Sequence, residues 1–182
     1  MAADSVPADG APDDAPERHV YGRLDAPVTI LEFGDLECPY CRSAAPLLRD
    51  LVDGSDGRVR LVWRHFPLFE VHPYALTAAL AAEAAGAHGQ FWPMHDVLLE
   101  HQDRLTDADL RRYARDLGLD PSEVAGDRAQ AYGAAVQADY AEGVALGVRG
   151  TPTLFVAGER YRGEVEPDRL AAMVDEAVAR LG

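Results

Sequence analysis

The chain's two cysteines, Cys38 and Cys41, stand three residues apart where an apolar strand pattern hands over to a helical one. Residues 27–33, Pro-Val-Thr-Ile-Leu-Glu-Phe, form a short run rich in β-branched side chains, which reads as a buried strand. Residues 34–37 read as a turn. From Cys38 onward Ala44, Leu47, Leu48 and Leu51 recur at helical spacing, and Gly54 stops the run. Cys38 therefore sits at a helix N-terminus, where unpaired N–H groups and the helix dipole favour an anion. Such a place lowers a thiol pKa, and the thiolate is the attacking species. Pro39 has no N–H to lose and is preformed for a first helical turn. One helical turn separates the two thiols, so they can close a small ring with little backbone movement.

A lone Cys-x-x-Cys can also be half a zinc site, but no second such pair exists here. His88, His95 and His101 are seven and six residues apart, off the spacing of a helical ligand pair. The placement of the pair beside a strand–helix–strand pattern points to redox work instead.

Residues 58–66 alternate and read as a second strand, ended by Pro67. Strand, helix and strand make a βαβ unit with a parallel pair. Residues 73–146 contain no strand pattern. Helices are expected over 75–87 and 91–101, and Thr106 caps a third with the stripe Leu110, Tyr113, Ala114 and Leu117. Asp120-Pro121 reads as another helix start, with Gly126 a possible break, and 129–146 as the last helix before Gly147. Strand character returns at 153–156, followed by a turn at 157–159, a short strand at 160–162, and a helix from Pro167 to Leu181. The expected organisation is an acidic disordered tail over 1–19, a sheet-containing domain over 20–72 and 147–182, and a helical insertion over 73–146.

Composition sets outer limits. Net charge is -14, from 31 acidic and 17 basic residues, so the surface repels phosphate backbones and nucleic acid is not an expected partner. No apolar run is long enough for stable membrane insertion. All basic residues other than histidine are arginine, and lysine and asparagine are absent, which reads as a coding bias with little bearing on activity. The N-terminal segment lacks the basic start and apolar stretch of a secretory signal, which leads to the expectation of a cytoplasmic protein.

The strand–Cys-Pro-Tyr-Cys–helix arrangement resembles the thioredoxin superfamily. Pro46 resembles the proline that kinks the helix after this motif, and Gly150-Thr151-Pro152-Thr153 resembles the family's cis-proline segment. The long helical block is similar to the branch of disulfide-bond oxidoreductase A (DsbA). Residues 31–35 leading into 37–41, Arg64-His65-Phe66-Pro67-Leu68 and Phe91-Trp92-Pro93-Met94-His95 look like cytosolic DsbA-like proteins and domains fused to sodium–proton antiporters. The resemblance implies an α/β thioredoxin fold, a central mixed sheet flanked by helices, with an all-helical insertion between the second and third core strands.

It also implies roles. Cys38 would be the exposed attacking cysteine and Cys41 the resolving one, the two forming a redox disulfide. Thr151 and a cis Pro152 would pack against the motif and, with Pro39 and Tyr40, meet the substrate. Glu32, a carboxylate in an apolar strand, either relays the Cys41 proton or forms a structural ion pair with an arginine. Arg42 either assists the thiolate or is solvated; Asp35 and Glu37 would oppose a thiolate. Trp92 and Tyr113 read as packing residues, and His65 and His72, flanking residues 66–69, either lie near the site or pack.

The expected activity is dithiol–disulfide exchange with protein or small-molecule thiols and disulfides, with an unidentified electron donor. No cofactor is implied, neither metal, flavin nor nucleotide, since both electrons reside on the sulfurs. A tyrosine at position 40 disfavours strong oxidase activity. The rival readings are a glutathione-dependent reductase or transferase of the same fold, and a non-catalytic redox-sensing or transporter-docking module.

Overall fold

The computed structural model describes residues 18–181. Five strands form one sheet: β1 (Val20–Gly22), β2 (Val28–Gly34), β3 (Val59–His65), β4 (Thr153–Val156) and β5 (Glu159–Arg160), in the order β1-β3-β2-β4-β5. β2 and β3 are parallel, joined by α1 (Pro39–Asp53), and the other pairings are antiparallel. The sheet is mixed, with the expected parallel pair at its centre.

Alternation along β2 sorts its side chains between two faces. Val28 and Ile30 pack with Ala44, Leu48 and Val52 of α1 and with Leu170 and Val174 of α6 (Pro167–Leu181). Leu31 and Phe33 face the other way, toward Phe66, Val148 and Tyr140. Between β3 and β4 the chain runs through α2 (Ala75–Gly86), α3 (Phe91–Glu100), α4 (Asp107–Asp116), a 3₁₀ turn (Ala129–Tyr132) and α5 (Gly133–Ala145). This is the all-helical insertion between the second and third core strands. α2 is buried on nearly every side, as its run of alanines allows. Its core is continuous with Leu36, Cys38, Cys41 and Trp63, so the cysteines lie at the seam between sheet and insertion.

Several local expectations change. β1 was not anticipated; it lines the sheet edge, with Tyr21 opposite Leu61. No helix follows Asp120-Pro121. The Asp120 carboxylate instead accepts from the Ser122 N–H at 2.8 Å, holding a turn. The helix expected over 129–146 begins as a 3₁₀ turn and becomes α-helical at Gly133. The last hairpin turns on two residues, Ala157 and Gly158, with φ of 48° and 82°, so β5 begins at Glu159 and the strand expected over 160–162 is displaced. Thr106 caps α4 as expected, in a reciprocal capping box with Asp109.

The acidic tail expected over 1–19 lies outside the described residues as far as 17. Its last two residues are anchored: Arg18 pairs with Glu83 and Asp139, and the His19 ring stacks on Phe91. Among the described residues no helix is long and apolar enough to cross a membrane.

Candidate active site

β2 delivers the chain to the site and α1 begins there. Cys38 is the N-cap of α1, in extended conformation, and Pro39 occupies the first helical turn. Asp35 makes the corner: its carbonyl accepts from the Cys38 N–H at 3.1 Å, and its own N–H donates to Cys41 Sγ at 3.4 Å. Gly34 is required at the end of β2, because a side chain there would run into the Trp63 indole, 2.1 Å from where its Cβ would stand.

Both cysteines are free thiols. Cys38 is pulled down to about 5. The largest cause is a hydrogen bond from the Cys41 thiol; burial opposes it, and the backbone N–H groups of Cys41 and Tyr40 add to the lowering. Those two N–H groups are unpaired donors of the first turn of α1, the source read from sequence, but the partner thiol outweighs them. Cys41 is pushed well above its ordinary value, by burial first, then by donating to Cys38 and by the negative charges of Glu32 and Cys38. One sulfur is an anion at neutral pH while the other keeps its proton.

The exposure expected of Cys38 is corrected. Its residue exposure is 2 percent. Its Sγ lies against the Thr151 carbonyl oxygen at 3.4 Å, and its backbone carbonyl is held by Gln102 Nε2 of the insertion at 2.8 Å. The Thr151–Pro152 peptide bond is cis. Thr151 Oγ1 is buried without a hydrogen-bond partner. Tyr40, by contrast, is 73 percent exposed, and with Thr151, Pro152, Ser43, Leu47 and Val165 it lines a groove of about 560 Å³ beside the motif. Pro39, Tyr40, Thr151 and Pro152 thus gather around Cys38.

Glu32 is on the α1-facing side of β2, flanked by Trp63 and Leu154 on the neighbouring strands. It is buried, and among the described residues its Oε1 has no hydrogen-bond partner. Burial, and then the Cys38 charge, push its carboxyl up to about 8, against a smaller opposing pull from Arg49. Among the described residues Glu32 forms no ion pair; Arg49 gives its guanidinium to Asp96 at 2.6 Å. The structural-ion-pair alternative therefore lacks a partner.

Arg42 is exposed. His65 is buried and accepts from Trp63 Nε1 at 3.2 Å, in keeping with a packing role. Trp92 Nε1 donates to the Val20 carbonyl and the Tyr113 hydroxyl to that of Arg104, so Trp92 ties α3 to β1 and Tyr113 ties α4 to the loop before it. His72 follows the other of its two readings, a place near the site. Its Nδ1 lies 2.8 Å from Asp35 Oδ2, next to the cysteine segment. Gln102 was missed as a neighbour of the cysteines, and His72 as a partner of Asp35; nothing in the local pattern marks partners 64 and 37 residues away.

Sheet order, flanking helices and paired cysteines at the head of α1 define a thioredoxin-fold protein with a helical insertion. The chain belongs to the Thioredoxin family, which it matches over residues 14–176. It is similar to a thioredoxin-like oxidoreductase from Silicibacter pomeroyi DSS-3, with TM-score 0.77, 32% identity, and coverage of 92% of this chain and 95% of that one. BdbD from Bacillus subtilis, in its oxidised form, shares the fold at TM-score 0.79 and 22% identity, covering 90% of this chain and 94% of that one. In sequence the chain is 48% identical over 169 residues to Na(+)/H(+) antiporter NhaA 1 of Salinispora arenicola (strain CNS-205). That match covers 92% of this chain and 26% of the antiporter, so the chain spans about a quarter of the length of such relatives.

Proposed function

We propose that the protein exchanges disulfides with protein or small-molecule thiol substrates through Cys38 and Cys41. The observation that carries this reading is the opposite displacement of the two thiols, Cys38 to about 5 and Cys41 well above its ordinary value. The Cys38 thiolate attacks a substrate disulfide, forming a mixed disulfide and releasing one substrate thiol. Cys41 then gives up its proton and attacks Cys38 Sγ, releasing the second thiol and leaving the Cys38–Cys41 disulfide. Glu32, buried and unpaired beneath α1, takes or relays the Cys41 proton. Substrate lies in the groove beside Tyr40, Thr151 and Pro152. The Thr151 carbonyl, released when Cys38 ionises, accepts from the backbone of an extended substrate.

Reduction and general exchange are the proposed direction, in a cytoplasmic setting, with a thiol as electron donor. Tyr40 supports this, being neutral where a strong oxidase places a histidine. Equilibration of the cysteine pair against glutathione tests it: the expected potential lies between about −270 mV and about −120 mV, because the ionised Cys38 stabilises the reduced pair, and a value at about −120 mV overturns the proposed direction. The core reading is tested with oxidised glutathione as probe. Cys38→Ser abolishes exchange, and Cys41→Ser accumulates a mixed disulfide; a Cys38→Ser protein reacting at the wild-type rate removes the reading.

A second reading is supported by the antiporter relatives, in which the matched region is a quarter of a transport protein. The domain would then attach to a transporter and carry its redox state to it. Co-purification with a membrane transporter that depends on the redox state of the cysteine pair tests that version.

A further inference from the structure

The turn after β3 is fastened to the residues that precede Cys38. Asp35 Oδ2 accepts from the Leu68 N–H at 2.8 Å and meets His72 Nδ1 at 2.8 Å, while Asp35 Oδ1 accepts from the Glu37 N–H at 2.8 Å. Glu37 Oε2 accepts from the Tyr74 N–H at 2.7 Å. The Asp35 side chain is wholly buried, and its oxygens are engaged, so it cannot itself reach a substrate. His72 is one-fifth exposed, and among the described residues nothing bonds its Nε2. A carboxylate on one ring nitrogen fixes ring orientation and leaves the other nitrogen to exchange protons. Phe69 and Val71, on the same turn, are exposed apolar side chains, the kind of surface on which a substrate chain settles.

We propose that His72 is the acid that protonates the substrate sulfur leaving in the first step, with Asp35 as the positioning residue that orients it. The inference rests on the exchange reading. The Cys38 thiolate forms a bond to one substrate sulfur, the substrate S–S bond breaks, and its electron pair goes to the departing sulfur. That sulfur takes a proton from His72 Nε2, and His72 becomes neutral. An alkyl thiol has a pKa of about 8.5, so at neutral pH it departs more readily as the protonated thiol. Glu32 cannot serve this step, because it is buried beneath α1. The two proton-bearing groups thus divide the two half-reactions, His72 the first and Glu32 the second. Burial alone pulls the His72 pKa down, but the Asp35 hydrogen bond and charge, and the charges of Cys38 and Glu37, carry it above its ordinary value. The Cys38 charge is thus among the influences that favour the proton-donating form of the ring.

The test compares two disulfide probes on the reduced, full-length protein. Bis(2-hydroxyethyl) disulfide releases an alkyl thiolate that needs a proton; 2,2′-dithiodipyridine releases a group that is stable without one. His72→Ala is expected to lower the ratio of the two second-order rate constants by about tenfold or more. With Asp35→Asn, the loss of alkyl-disulfide activity at rising pH moves to lower pH, because the group that raises His72 is gone. A ratio within about twofold of wild type in a folded His72→Ala protein overturns the inference, even if both rates fall together. Wild-type protein that reacts with neither probe overturns the exchange reading itself, and the inference with it.

Discussion

Glu32 and Cys41 carry the sharpest residue-scale predictions. Glu32 holds its proton up to about pH 8 in the folded chain but releases it near 4.5 when unfolded. The folded state therefore binds more protons across that window, and stability is lost as pH rises from about 4.5 through about 8. Glu32→Gln removes this loss. Relative to wild type it gains on the order of 3–5 kcal/mol between pH 5 and 9, read by urea unfolding of the reduced proteins. The same variant slows resolution of the mixed disulfide about tenfold or more, because the carboxyl that passes the Cys41 proton on is gone. An unchanged lifetime of the mixed disulfide removes the relay. Cys41→Ala acts on the other sulfur. It deletes the largest influence lowering Cys38, so the pH at which iodoacetamide alkylation reaches half its maximum moves above about 5. The chemistry of this pair was legible because it is local: a helix start, a proline and two thiols within four residues. What surrounds it was not. The burial of Cys38 is imposed by Thr151 and by Gln102, contacts that no spacing announces.

At the scale of elements, close packing decides which glycines are replaceable. Gly143 in α5 faces the Phe66 and Phe33 rings, and a Cβ there would approach Phe66 to 2.6 Å. Two bulky rings in a filled core cannot yield without moving α5 against the sheet. Gly143→Ala is expected to destabilise by about 1–3 kcal/mol. Gly133 begins the same helix, and nothing stands within 4 Å of its missing Cβ. Alanine there restricts the unfolded chain and favours the helix, for a gain of about 0.5–1 kcal/mol. Thermal unfolding of the two single variants checks the contrast; equal shifts would mean that local helix preference, not the ring contacts, governs α5. Elements were readable from sequence where periodicity or capping was strong, as in β2, α1 and the Thr106 cap of α4. They were misread where a side chain redirected the backbone, as Asp120 does, or where three residues gain their structure only from a distant partner, as β1 does beside β3.

For the molecule as a whole, the question is what keeps the helical insertion seated on the sheet, since the cysteines lie at that seam. Apolar packing provides most of it, but the first described residues add a polar clasp. Arg18 donates to Glu83 of α2 at 2.7 Å and to Asp139 of α5 at 2.6 Å, both buried carboxylates. His19 adds a 2.7 Å contact to Glu83, and the Asp139 carboxylate also accepts from the His65 N–H of β3. Arg18→Ala removes the shortest arginine contact of each acid, leaving Arg64 at 3.6 Å from Asp139 and His19 at 2.7 Å from Glu83. Breaking a buried pair from one side costs about 3–5 kcal/mol. Arg18 is 31 percent exposed, which places the expected loss toward the lower end of that range. The loss should resist salt, since little water reaches the carboxylates, whereas exposed pairs such as Arg23–Asp25 weaken with ionic strength. Urea unfolding at low and high salt reads both effects. A loss under about 1 kcal/mol that vanishes in salt would reduce the clasp to an ordinary surface pair. A substantial loss, together with faster alkylation of Cys38, would tie the seating of the insertion to the shielding of the cysteine at its edge.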